Sequence, residues 1–153
     1  MKGLELKIPP PLHFLLFAAA MGGLARLCPA AQFPLPFQKP LALALAAPGL
    51  LLGAAGVLAF LRARTTIHPH RPAHASALVT TGLYRYSRNP MYLALLLVLA
   101  GWAVALANGL AFLLLPGFVL SLDRLQIRPE ERILRAKFGA AYEAYARSVR
   151  RWL

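Results

Sequence analysis

Four long apolar runs divide the chain, and they are separated by short polar or proline-rich breaks. The first covers residues 12–31, the second 41–61, the third 90–107 and the fourth 110–125. Runs near 20 apolar residues match the roughly 30 Å hydrocarbon core of a bilayer, so each is read as a spanning helix. The third opens on Pro90, which suits the first turn of a helix because its missing N–H has no intrahelical partner there. Only Asn108-Gly109 separates the third run from the fourth, which predicts a tight helical hairpin. The fourth is short and contains Pro116, so a kinked helix buried in protein is expected. After it, Ile133, Leu134, Phe138, Ala141, Tyr142, Tyr145, Val149 and Trp152 recur at three- and four-residue spacing. This predicts an amphipathic helix over 129–153. The expected fold is all-α: an integral membrane protein of four spans in a single domain, 1–153, with a polar loop over 62–89.

Composition supports the membrane reading. Apolar residues are 59% of the 153, above the usual half for soluble domains, and they are concentrated in the runs. There are 17 Lys and Arg against 5 acidic residues. Of the basic ones, only Arg26 and Lys39 fall on one side of the expected bundle. The rest flank the spans on the other side, which places both termini and the 62–89 loop in the cytoplasm. Lys2 and Lys7 before an apolar run also fit the start of a signal peptide; an uncleaved first helix is expected. Because the charges border apolar spans, the positive-inside rule accounts for them and nucleic acid is not the expected partner. The single cysteine, Cys28, excludes an internal disulfide and reads as a buried or lipid-facing thiol.

Chemistry has two places to sit: the loop ahead of the third span and the segment after the fourth. His68, His70 and His74 lie in a proline-rich stretch with no cysteine or acidic neighbour, so no metal site is expected. His13 is expected at the membrane interface. Tyr84, Tyr86 and Tyr92 fit an aromatic belt, and Arg85 and Arg88 fit positive-inside charges. Glu130 and Glu131 fit either the dipole of a helix start or a carboxylate that holds a ligand. The terminal helix could lie on anionic lipid or cover a pocket formed with the loop. Gly22-Gly23 and Gly53 with Gly56 lie inside helices and are expected to permit close helix packing.

Several of these residues fall into an ordered set: Leu78-Val79-Thr80-Thr81-Gly82-Leu83-Tyr84, then Arg88-Asn89-Pro90-Met91-Tyr92, then Glu130-Glu131 with Phe138-Gly139 and Tyr142 and Tyr145. The set resembles the isoprenylcysteine carboxyl methyltransferases and their bacterial relatives, from about residue 65 onward. It is also similar to the wider group of phospholipid N-methyltransferases. The resemblance implies S-adenosylmethionine as cofactor, with S-adenosylhomocysteine as product. Ser76, Ala77, Leu78, Val79, Tyr84, Asn89, Pro90, Met91 and Tyr92 would line the cofactor, and Glu130 would hold its polar end.

Two positions depart from the eukaryotic enzymes. Asn89 stands where they have histidine, and Gln126, between Arg124 and Arg128, stands where they have a substrate-carboxylate arginine. Arg124, Gln126 and Arg128 are the substrate-side candidates. No catalytic dyad is visible, which fits an in-line methyl displacement that needs alignment and a dry site. The expected function is methylation of a lipophilic acceptor (carboxylate, amine or thiol) that enters from the bilayer. The Ala-, Leu- and Arg-rich, Lys-poor composition suggests a bacterial cytoplasmic membrane. The alternatives are phospholipid N-methylation and a non-catalytic lipid-binding scaffold.

Overall fold

A computed structural model describes residues 5–62 and 78–153. The loop histidines His68, His70 and His74, and Ser76 and Ala77, lie outside the described residues. The described elements are all helical: α1 (Pro10–Leu27), α2 (Gln38–Arg62), α3 (Pro90–Leu106), α4 (Gly109–Leu122), α5 (Arg128–Phe138) and α6 (Ala140–Ser148). Three stretches are long and apolar enough to cross a membrane: Pro10–Leu27, Gln38–Ala59 and Gly109–Phe138. Only 11% of the α2 window is buried inside the protein, so its apolar surface faces outward, as it would toward lipid. Helix α3 is equally apolar but has 17 residues.

The α2–α3 contact is close because small residues let the backbones approach. A Cβ added at Gly49 would lie 2.9 Å from the Ala94 carbonyl oxygen, and one at Gly101 would lie 2.7 Å from that of Ala42. Gly56 gives way to the Met91 side chain, and Gly53 meets Ala94. Gly22 accommodates the Trp102 ring, whereas Gly23 faces open space and plays no part in packing. The main core joins Met21 of α1, Tyr92, Leu99 and Ala103 of α3, and Ala111, Phe118 and Leu122 of α4, with Trp152 packed against it. His13, near the start of α1, is buried in the protein, stacked on Phe17 and edge-on to Phe118.

The hairpin forms as expected. Ala107 takes a left-handed conformation (φ 45°) that ends α3. Asn108 then caps α4 by accepting from the Leu110 N–H at 3.0 Å, while its Nδ2 donates to the Cys28 carbonyl. Helix α4 is not wholly protein-buried. Ala111, Phe118 and Leu122 face inward, but Leu113, Pro116 and Leu120 are exposed.

A larger correction follows. The fourth run does not stop before a separate terminal helix. Helix α4 passes through a π-helical turn, Asp123–Ile127, directly into α5, giving one continuous helical stretch. Pro129 explains the turn. A proline inside a helix cannot donate to the carbonyl four residues back, and its ring crowds that carbonyl. Here that group is the Leu125 carbonyl. The backbone widens, and the Leu125 oxygen accepts instead from the Leu6 N–H at 2.9 Å. Gln126 Nε2 donates to the Ile8 carbonyl at 2.6 Å, and Glu5 pairs with Arg132, so residues 5–8 strap the widened turn.

The expected helix over 129–153 is also broken. Gly139 adopts φ 49°, which separates α5 from α6, and Val149 is extended. The last residues run back across the end of the bundle.

Candidate functional site

The segment before α3 makes a 3-10 turn at Gly82–Arg85, entered through Gly82 at φ 61°. That turn buries Tyr84, whose carbonyl accepts from the Tyr145 hydroxyl at 2.7 Å. Leu78, Val79, Tyr84, Leu134, Phe138, Tyr142 and Tyr145 close into a second, smaller apolar cluster. This brings the loop ahead of the third span against the helices after the fourth. Burial pushes the Tyr84 hydroxyl well above the usual tyrosine range, with nearby Tyr145 and Glu130 adding to the shift. Burial likewise pushes Tyr142 and Tyr145 up to about 12. All three stay protonated at neutral pH, so they serve as walls and donors, not bases.

The returning C-terminal segment clasps the start of α3. Arg150 O accepts from the Arg88 N–H, and Arg151 O accepts from Asn89 Nδ2, both at 2.9 Å. The Arg88 guanidinium donates to the Ala146 carbonyl at 2.8 Å and pairs with Glu131 at 3.1 Å. Arg151 bridges two carboxylates, Glu131 at 2.8 Å and Asp123 at 2.9 Å. Arg128 completes the chain of charges on Asp123 at 2.6 Å. Hydrogen bonding to Glu131 holds the Arg151 guanidinium above its ordinary range.

The two adjacent glutamates therefore have different fates. Glu131 is taken up by Arg88 and Arg151. Glu130 points the other way and accepts from the Tyr92 hydroxyl at 2.5 Å, with no ion pair among the described residues. The helix-dipole reading of Glu130 does not hold, because it sits within a continuous helical stretch and not at a free helix start.

The expected cofactor residues are partly gathered. Leu78, Val79 and Tyr84 share one cluster, Tyr92 meets Glu130, and Pro90 is buried beneath Asn89. Met91 packs toward Gly56 on α2. The substrate-side candidates lie on or beside the π turn. Gln126 is fully buried with its Oε1 unpartnered among the described residues, Arg128 is engaged by Asp123, and Arg124 is exposed. Sequence reasoning missed the roles of Asp123, Arg88 and Arg151. Their charges look like membrane-flanking ones, and only the returning tail reveals the pairing.

Residues 38–141 match the phospholipid methyltransferase family, more than half of the chain, and the protein belongs to that family. A Haemophilus influenzae protein described as uncharacterized is 48% identical over 63 residues, which is 41% of this chain and the whole of that protein. No solved structure matches. Family membership implies methyltransferase activity, and with the three long apolar helices it defines a membrane methyltransferase.

Proposed function

We propose that this protein is an S-adenosylmethionine-dependent methyltransferase whose acceptor is a lipophilic molecule held in the bilayer. The observation that carries the reading is Glu130: a carboxylate positioned by Tyr92 and, among the described residues, left without a cation, beside a Glu131 that has two. The donor set fits the cofactor. Its sulfonium is attracted to carboxylates and aromatic faces, and its hydroxyl and amino groups can donate to a carboxylate. Leu78, Val79 and Tyr84 offer an apolar and aromatic wall. Ser76 to Val79, Tyr84, Asn89 to Tyr92 and Glu130 are the residues proposed to hold it. When bound, the cofactor supplies an electrophilic methyl group; the protein's part is to align it with the acceptor and exclude water.

The acceptor side of the site is proposed to be the π turn, where, among the described residues, Gln126 keeps an unpaired acceptor and Arg124 makes no ion pair. The isoprenylcysteine carboxyl methyltransferase resemblance favours a carboxylate acceptor. The family match, named for phospholipid substrates, favours phospholipid N-methylation as the second reading. Family membership gives no support to a non-catalytic scaffold. The basic flanks support a cytoplasmic placement of the site and of both termini, in a bacterial inner membrane.

Titration calorimetry in detergent with S-adenosylmethionine and S-adenosylhomocysteine tests the cofactor assignment. Heats of binding are expected for the wild type and not for Glu130→Ala, with the bundle still folded. Binding retained in that variant would remove Glu130 from the site, and no heat in the wild type would overturn the proposal. Labelled methyl transfer into a bacterial lipid extract, followed by identification of the product, decides between a methyl ester and an N-methylated headgroup.

A further inference from the structure

At the far end of α1 and α3 there is a cleft of about 420 Å³, lined by Gly22, Arg26, Gln32, Trp102 and Leu106 among others. That volume falls within the range of ligand clefts, roughly 300–1,000 Å³. It is separate from the carboxylate site, since Trp102 lies ten residues beyond Tyr92 on α3, about 15 Å along the axis.

Arg26 is exposed at the last turn of α1 and makes no ion pair or hydrogen bond among the described residues. The chain has no acidic residue to offer it at this end. All five, Glu5, Asp123, Glu130, Glu131 and Glu143, occur outside the interval 6–122 and cluster at the opposite end of the bundle. No carboxylate side chain of the protein is therefore placed to pair with Arg26.

The walls indicate what kind of anion would suit this place. Trp102 is 41% exposed; its indole N–H is tied to the Ala18 carbonyl at 3.0 Å, and its ring lies against Gly22. The ring is thus a fixed apolar wall beside the guanidinium. Leu27 next to Arg26 is 81% exposed, and Phe37 in the connection to α2 is 83% exposed. Residues 28–37 of that connection carry no charge. A soluble anion would gain nothing from these surfaces, whereas a lipid acyl chain would cover them. Gln32 Nε2 donates to the Ala25 carbonyl at 3.3 Å, which leaves its second hydrogen for a phosphate oxygen.

We propose that this cleft binds one anionic phospholipid of the opposite leaflet, with its phosphate on Arg26 and Gln32 and an acyl chain over Trp102 and Leu106. The test uses Trp102 as the reporter in a Trp152→Phe background, in detergent with brominated phosphatidylglycerol or brominated phosphatidylcholine. Half-quenching is expected at about five-fold less of the anionic lipid, the effect of one basic side chain at an anionic surface. Arg26→Gln should bring the two curves together. Identical curves before that change, or an unaltered preference after it, overturns the site. Displacement of the lipid by millimolar inorganic phosphate would assign the cleft to a soluble anion and overturn the lipid. Should Trp152→Phe fail to fold, native mass spectrometry of the wild type and Arg26→Gln decides instead. The variant is expected to retain one fewer tightly held anionic lipid, and equal retention refutes the proposal.

Discussion

Arg151→Ala removes a side chain that bridges Asp123 on the π turn and Glu131 on α5. The loss comprises three charged contacts: Arg151 Nε and Nη2 to Glu131 at 3.1 and 2.8 Å, and Nη1 to Asp123 at 2.9 Å. Breaking a buried pair by removing one partner costs about 3–5 kcal/mol. Two facts reduce that figure. The Arg151 side chain is 34% exposed, and each carboxylate keeps another arginine, Arg88 on Glu131 and Arg128 on Asp123. A loss of about 2 kcal/mol is expected. At about 2–4 °C per kcal/mol for a chain of this size, the melting temperature in detergent should fall by about 4–8 °C. Arg150→Ala is the control, because its exposed side chain makes no ion pair or hydrogen bond among the described residues and its carbonyl, which holds Arg88, is kept. It should shift the midpoint by less than about 1 °C. Lysine at 151 should recover part of the loss, since an ammonium cannot engage one carboxylate in a forked pair while reaching a second. Equal midpoints for Arg151→Ala and Arg150→Ala would refute the clasp as an energetic element.

Tyr92→Phe should weaken S-adenosylmethionine binding about ten-fold by releasing Glu130 from its hydroxyl partner; calorimetry showing a change below two-fold would mean that Tyr92 does not position the carboxylate. Gly101→Val should destabilise the protein by about 1–3 kcal/mol, because its Cβ meets the Ala42 carbonyl, whereas Gly23→Ala, inside α1 and meeting nothing, should be neutral or stabilising by up to about 1 kcal/mol in the same thermal scan. Pro129→Ala restores an N–H that can bond the Leu125 carbonyl, so the π turn should close and the Leu6 amide lose its acceptor. Hydrogen exchange should then show faster labelling over residues 5–8, and unchanged protection there would sink the account of the π turn.

The helices were legible because long apolar runs have few alternative structures, and the hairpin was legible because Asn108 can both cap α4 and end a turn. The pairing of Tyr92 with Glu130 was reachable through the family resemblance, which joins two segments that local patterning keeps apart. What stayed hidden depends on distant partners. Pro129 reads locally as a helix start; it sits mid-helix because Leu6, at the other end of the chain, takes up the carbonyl that the proline frees. Arg88 and Arg151 read as membrane-flanking charges, since nothing in their spacing announces a shared carboxylate. The apolar spacing in 129–153 ran across Gly139 without registering its left-handed turn, so Trp152 was assigned to a helix face although it packs on the main core.

Glu130 rides on the same 30-residue helical stretch, Gly109–Phe138, that is long and apolar enough to cross the hydrocarbon. At 1.5 Å per residue that rod is about 45 Å long, so a small tilt at one end becomes a displacement of ångströms at the other. Tilt is how a span adjusts to bilayers of different thickness. A change of tilt would therefore move the carboxylate relative to Tyr92, which rides on a different helix.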